Sequence, residues 1–221
     1  MRTWRVFLAV LPGLAGAQVP DGFEPIFNGR NLAGWHMSLT NHHGDTNEWR
    51  VFGSALVGQQ DRPGNGGILL TDETFSDFEI YLEIKPDFGC DGGLFLRSNS
   101  SGQAYQVMLD YLPGGNVGGV YGEGLKGLQA KRSEGWEEAW KKDGWNALRA
   151  RIRGEVPRIE VWLNGKRIVD FQDSGNRLPA GAREGSVALQ VHGGDRCKPG
   201  LEHRFRRLAV RDLSTGESAD R

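Results

Sequence analysis

Cysteine, methionine and single-sign charge are all scarce in this chain of 221 residues, which has only two cysteines and three methionines. Its 27 basic and 28 acidic residues balance to a net charge of −1 and form no long run. That dispersal argues against a nucleic-acid groove or an anionic membrane surface as the partner. Cys90 and Cys197 lie too far apart in sequence for any ligand-spacing motif, which argues against a cysteine metal site. There is no Gly-x-Ser-x-Gly turn, no phosphate-binding glycine loop and no His-Glu-x-x-His helix. A nucleophile elbow, nucleotide hydrolysis and a zinc helix lose their usual signals with them. Helical patterning is nearly absent too, with one helix expected over residues 131–143, where Trp136 and Trp140 are four apart. Glycine is abundant instead: 33 of them call for many tight turns between short strands.

Apolar residues run together only near the start. Arg2 and Arg5 precede residues 6–14, and Ala15-Gly16-Ala17 is a small-x-small cleavage site before Gln18. Residues 1–17 therefore read as an export signal, too short for a membrane anchor. Its removal leaves one domain over residues 18–213 and a mobile tail over 214–221, and takes the net charge from −1 to −3. In an oxidising compartment Cys90 and Cys197 are open to disulfide formation, with two free thiols as the alternative.

The remaining pattern is alternation with a period of two. Residues 77–85 put Phe78, Ile80, Leu82 and Ile84 on one face and Glu79, Tyr81, Glu83 and Lys85 on the other. Residues 92–98 send Leu94 and Leu96 one way, Phe95 and Arg97 the other. Residues 105–111 set Tyr105, Val107 and Leu109 against Gln106, Met108 and Asp110. Residues 145–153 and 205–213 are further strands, the latter expected to close the sheet, and residues 186–192 leave Gln190 and His192 opposite Val187, Leu189 and Val191. Asn164-Gly165 between alternating runs predicts a two-residue hairpin, since both positions tolerate positive φ. Many short strands with little helix predict an all-β sandwich or jelly roll of two antiparallel sheets.

Glu83, Arg97, Gln106, Asp110, Gln190 and His192 are expected to meet on one concave sheet. Together they offer carboxylate, guanidinium, amide and imidazole groups that hold hydroxyls and move a proton. His192 has added weight beside Gly193-Gly194, whereas His42, His43 and His203 read as surface. Glu79 and Glu83 on one strand would stand roughly 13 Å apart. That is too wide for the carboxyl pairs of common glycosidases.

In order along the chain, Phe27-Asn28-Gly29, Gly34-Trp35, Trp49-Arg50-Val51, Asp77-Phe78-Glu79, Gly93-Leu94-Phe95-Leu96-Arg97, residues 105–110, Tyr121-Gly122, Trp162-Leu163-Asn164-Gly165 and Leu189-Gln190-Val191-His192-Gly193 resemble the 3-keto-disaccharide hydrolase domain family. The resemblance implies a concanavalin-like jelly roll and cleavage of glycosides already oxidised at C3, by elimination or net hydrolysis. A base takes the C2 proton, for which His192 or Asp110 would serve. Arg97, or a bound divalent metal ion, would steady the enolate. Glu83, Gln106, Tyr121 and Gln190 would recognise sugar hydroxyls. The chain departs from the family pattern at Gln106, often Glu, and Met108, often Gln. A lectin-like carbohydrate-binding module without chemistry is the alternative, on the same fold and the same face.

Overall fold

A computed structural model describes residues 19–214. The expected export signal lies outside these residues, as does all but the first residue of the expected tail. The strands are β1 (Glu24–Pro25), β2 (Trp35–Met37), β3 (Trp49–Phe52), β4 (Ala55–Gln59), β5 (Gly67–Phe75), β6 (Phe78–Ile84) and β7 (Gly92–Ser98). They continue with β8 (Ala104–Leu109), β9 (Val117–Glu123), β10 (Asn146–Arg153), β11 (Arg158–Leu163), β12 (Lys166–Gln172), β13 (Gly185–Val191) and β14 (Glu202–Asp212). Two antiparallel sheets form a jelly-roll sandwich. One runs β12-β11-β10-β6-β14-β4-β3 with β1 alongside β14, and the other runs β2-β5-β13-β7-β8-β9.

Period-two alternation places the core between the sheets. Phe78, Ile80, Leu82 and Ile84 of β6 meet Leu94 and Leu96 of β7, Val107 and Leu109 of β8, and Val187, Leu189 and Val191 of β13, all fully buried. Burial on this scale is the main stabilising term. The hairpin between β11 and β12 turns at Asn164 and Gly165, both at positive φ (50° and 87°). Asn164 also ties three segments, accepting from the Ala147 N–H at 2.9 Å and donating to the Ala139 carbonyl at 2.7 Å.

Three expectations are corrected. The helix over 131–143 shrinks to a single turn, α1 (Trp136–Ala139), entered from Gly135 at φ 64° and left at an extended Trp140. Trp136 and Trp140 still pack edge to face at 6.0 Å, but tertiary contact with Tyr111 holds them rather than helix length. The last strand, β14, does not close a sheet but sits between β6 and β4. His203 is not at the surface; it is buried in β14 and stacked on Phe205.

The outer face of the eight-stranded sheet is an ion-pair lattice. Fully buried Glu79 faces Arg149, Arg151 and Arg211 at 3.1, 2.9 and 2.8 Å. A bulge in β14 between Arg206 and Ala209, with Arg207 at φ 55°, aims two consecutive arginines at Glu83, each at 2.6 Å. Arg149 and Arg206 lie over the rings of Trp162 and Trp145 at 4.0 and 4.1 Å.

His203 generates a pH prediction. Its Nε2–H donates to the Asp91 carbonyl at 3.0 Å, and its Nδ1 has no partner. Burial lowers its pKa from 6.5 to about 4. Between those values the unfolded chain takes up a proton that the folded one refuses, so stability rises with pH through this window. The contribution is complete above about pH 6.5 and is lost toward pH 4, by roughly 3 kcal/mol at most. The H203Q protein should lack this increment: urea unfolding across pH 4–7 should show a correspondingly shallower acid-side loss than wild type. Parallel curves for the two proteins would refute it.

Candidate functional site

On the six-stranded sheet the polar face is laid out by register. Ala188 of β13 pairs with Phe95 of β7, Phe95 with Gln106 of β8, and Gln106 with Tyr121 of β9. One step along, Gln190 pairs with Gly93 and Gly93 with Met108. Gln106 Nε2 reaches diagonally across Gly93 to Gln190 Oε1 at 2.8 Å. Gly93 is required for this, because a Cβ there would stand 2.4 Å from Gln106 Nε2.

Gln190 is fully buried, and its amide nitrogen lies 2.7 Å from His43 Nε2. The loop bearing His43 is wired in place. His43 N–H donates to Asn41 Oδ1 at 2.9 Å, and the His43 carbonyl accepts from Gly66 N–H at 2.8 Å. Gly66 is pressed against the end of β13, where a Cβ would meet the Val191 carbonyl at 2.2 Å. Thus two glycines, not side chains, let the loop and the sheet approach.

His192, just past β13, packs its ring edge to face on His43 at 4.9 Å. Its Nδ1 is 2.7 Å from the Gly193 carbonyl, so Nδ1–H donates there and the neutral ring keeps its lone pair on Nε2. Beside it Arg196 binds two carboxylates, Asp91 through Nε at 2.6 Å and Asp110 through Nη2 at 3.1 Å. Burial raises the Asp91 carboxyl above its ordinary range, the Arg196 hydrogen bond opposes the rise, and Asp110 adds to it. Contact with Asp91 in turn raises the Arg196 pKa. Asp110 Oδ1 is buried without a partner.

These groups surround a cavity of 310 Å³, whose wall includes His42, His43, Asp91, Gln106, Glu123, His192 and Arg196. Tyr121, 45% exposed, and Met108 also border it. A larger hollow of 640 Å³ lies between Glu24, Glu73, Phe75, Glu184 and Asp212. Among the described residues no histidine or amide side chain faces that hollow, so the smaller cavity is the candidate site.

The structure brings together His192, Asp110, Gln106, Tyr121 and Gln190. It does not bring Glu83 or Arg97 to them. Glu83 belongs to the other sheet, held outward by Arg206 and Arg207. Arg97 falls in a bulge of β7, at φ 56°, where Leu96 and Arg97 together stand opposite Val187 of β13. The bulge breaks the alternation that would have put Arg97 beside Phe95. Its buried guanidinium instead binds the Ser76 carbonyl, the Gly154 carbonyl and Asp77 at 2.6, 3.0 and 2.6 Å. His43, read as surface, is buried. Asp91, Glu123 and Arg196 were not singled out from sequence. Two of them had a signal, since Asp91 follows Cys90 and Arg196 precedes Cys197.

Those cysteines form a disulfide spanning 107 residues. It clamps the segments that carry Asp91 and Arg196, which also share a hydrogen bond from Asp91 N–H to the Arg196 carbonyl at 2.8 Å. In the chain-entropy model so long a loop is worth about 4–5 kcal/mol. The C90S/C197S protein should therefore lose about 2–5 kcal/mol in denaturant unfolding. A loss under about 1 kcal/mol would show that the clamp contributes little.

Residues 22–211 match the model of the 3-keto-alpha-glucoside-1,2-lyase-like domain. No curated protein matches the chain in sequence. Among solved structures, it is similar to a protein from Parabacteroides distasonis ATCC 8503 described as a glycosyl hydrolase, at 19% identity and TM-score 0.60, covering 86% of this chain and 99% of that one. It is also similar to the carbohydrate-binding module CBM66 from Bacillus subtilis, at 17% identity and TM-score 0.51, covering 81% and 96%. The alginate lyase Aly36B aligns at 12% identity and TM-score 0.54, covering 78% and 86%. At these identities the likeness is one of fold.

Proposed function

The chain belongs to the 3-keto-alpha-glucoside-1,2-lyase-like domain family, a family of carbohydrate-active domains, and from that membership we propose that it cleaves 3-keto-glycosides by elimination across C1–C2 followed by hydration. The C3 ketone acidifies the C2 proton. A base removes that proton, the electron pair passes through the enolate to form the C1–C2 double bond, and the C1 oxygen substituent leaves and is protonated. Water then adds at C1, giving net hydrolysis of the glycosidic bond.

What supports this reading most directly is the imidazole of His192, basic at Nε2, in one cavity with a guanidinium held by two carboxylates. His192 is the proposed base. Arg196 takes the role first assigned to Arg97, offering positive charge for the developing enolate oxygen. Asp110 becomes a positioning residue that orients Arg196 together with Asp91. Gln106 and Tyr121 recognise hydroxyls, and Gln190, fully buried, holds the Gln106 amide in place. Gln106, where the family often has Glu, fits the amide pair: a carboxylate there would accept only, so Gln190 would have to turn its amide nitrogen toward it and away from His43.

A non-catalytic carbohydrate-binding module is the second reading, supported by the likeness of fold to the module CBM66. Export is part of the proposal as well, supported by the arginine-led apolar start, Ala15-Gly16-Ala17 and the disulfide. A mature chain that begins at Gln18 by mass spectrometry is the expected outcome, and an uncleaved chain in the cytoplasm would overturn it.

The enzymatic reading is checked with a 3-keto-glucoside followed by ultraviolet absorbance. Wild type should consume it, and H192A should lower kcat by about 10²-fold or more. D110N should lower kcat less, with KM rising. Binding without turnover by wild type would establish the module reading. Undiminished turnover by both variants would place the chemistry elsewhere.

A further inference from the structure

In the same cavity, the donor atoms of His42, His43 and Glu123 cluster. The three ligand atoms, one per residue, lie within 4.8 Å of one another. His42 Nε2 is 3.1 Å and His43 Nε2 is 3.4 Å from the same oxygen, Glu123 Oε1. Bonds of about 2.0–2.2 Å in tetrahedral geometry hold neighbouring donors about 3.3–3.6 Å apart. Both edges to Glu123 therefore already approximate those of a coordination tetrahedron.

Hydrogen bonding within the protein accounts for one edge of this cluster, His42 Nε2–H to Glu123 Oε1, but not for the other. Gln106 Nε2 donates to Gln190 Oε1, which turns the Gln190 amide nitrogen toward His43 at 2.7 Å. A nitrogen that accepts from Gln190 cannot also donate to Glu123, so the His43 and Glu123 lone pairs face each other. The charge points the same way. Asp91 and Glu123 line the cavity with one guanidinium, Arg196, and Asp110, outside the lining, pairs with that same guanidinium. A divalent cation restores the balance.

We infer that His42, His43 and Glu123 bind one divalent transition-metal ion of the Zn²⁺ class, with its remaining coordination position open to the cavity. Two imidazoles and a carboxylate suit a borderline ion; Ca²⁺ and Mg²⁺ demand oxygen donors throughout. Three protein ligands and an open position are the arrangement of reactive rather than closed structural zinc sites. Occupancy replaces the Gln190–His43 hydrogen bond, since the metal takes the lone pair that accepts it. The ligands are presented by fixed elements: Glu123 ends β9, and the Asn41 and Gly66 contacts hold the histidine loop. A substrate hydroxyl or keto oxygen would occupy the open position, facing Gln106 and Tyr121.

The test reads metal, not turnover, so it stands whether or not the lyase chemistry does. Protein stripped with chelator and dialysed is titrated with ZnCl₂ by calorimetry. One ion per chain is expected, with a melting temperature that rises on loading. His42 is largely exposed, with its side chain 67% accessible, so H42A should fold normally and bind at least about tenfold more weakly. E123Q should weaken binding in the same direction. H36A controls for adventitious sites, because His36 and Asp72 form an exposed surface pair, and should bind as wild type does. Absence of binding by wild type, or equal binding by a folded H42A protein, would overturn the proposal.

Discussion

Gln190 is fully buried on the side of its sheet opposite the hydrophobic core, and an amide in that position must have both ends met. An unsatisfied buried polar group costs about 1–3 kcal/mol, so each neighbour is constrained in turn. Its oxygen needs Gln106, which reaches it only across a residue without a side chain, Gly93. Its nitrogen needs His43, which reaches it only because Gly66 lets the loop lie against β13. Two glycines, two glutamines and one histidine thus form a single chain of dependence. The cavity is what that chain encloses.

The two sheets show why polarity on a strand face is an ambiguous sign. Residues 77–85 and residues 186–192 alternate with equal clarity, and both bury their apolar side as read. Their polar sides meet different fates. On the eight-stranded sheet Glu79 and Glu83 are met by arginines from both neighbouring strands, β10 and β14, and the charge is spent within the surface. On the six-stranded sheet the facing strands carry amides, a glycine and small residues, and histidines arrive from outside. Only pairing partners separate these cases, and partners depend on topology.

What could be read beforehand follows from this. The core faces, the hairpin at Asn164-Gly165, the sandwich, and His192, Asp110, Gln106 and Gln190 as neighbours all rest on local period and order, while Tyr121 joined them only through the family resemblance. Arg97 could not be placed, because one inserted residue in β7 turns its side chain away, and no local pattern announces a bulge. His43 was hidden for another reason: a polar loop sequence looks solvated until the glycine that admits it to the interior is known. Asp91 and Arg196 were closer to legible, lying next to the only two cysteines in the chain.

The same geometry bears on what the cavity admits. Its lining sets Asp91 and Glu123 beside one guanidinium, Arg196, which Asp91 and Asp110 both hold. On the proposed reading, a polyuronate such as alginate would bring a carboxylate with every sugar unit toward these groups, at the cost of like-charge repulsion unless the proposed cation is bound. A neutral glycoside with a ketone would meet no such penalty, its hydroxyls facing Gln106 and Tyr121 and its carbonyl oxygen facing Arg196. Two carboxylates whose first structural duty is to hold one arginine in place would then also help to favour uncharged sugar.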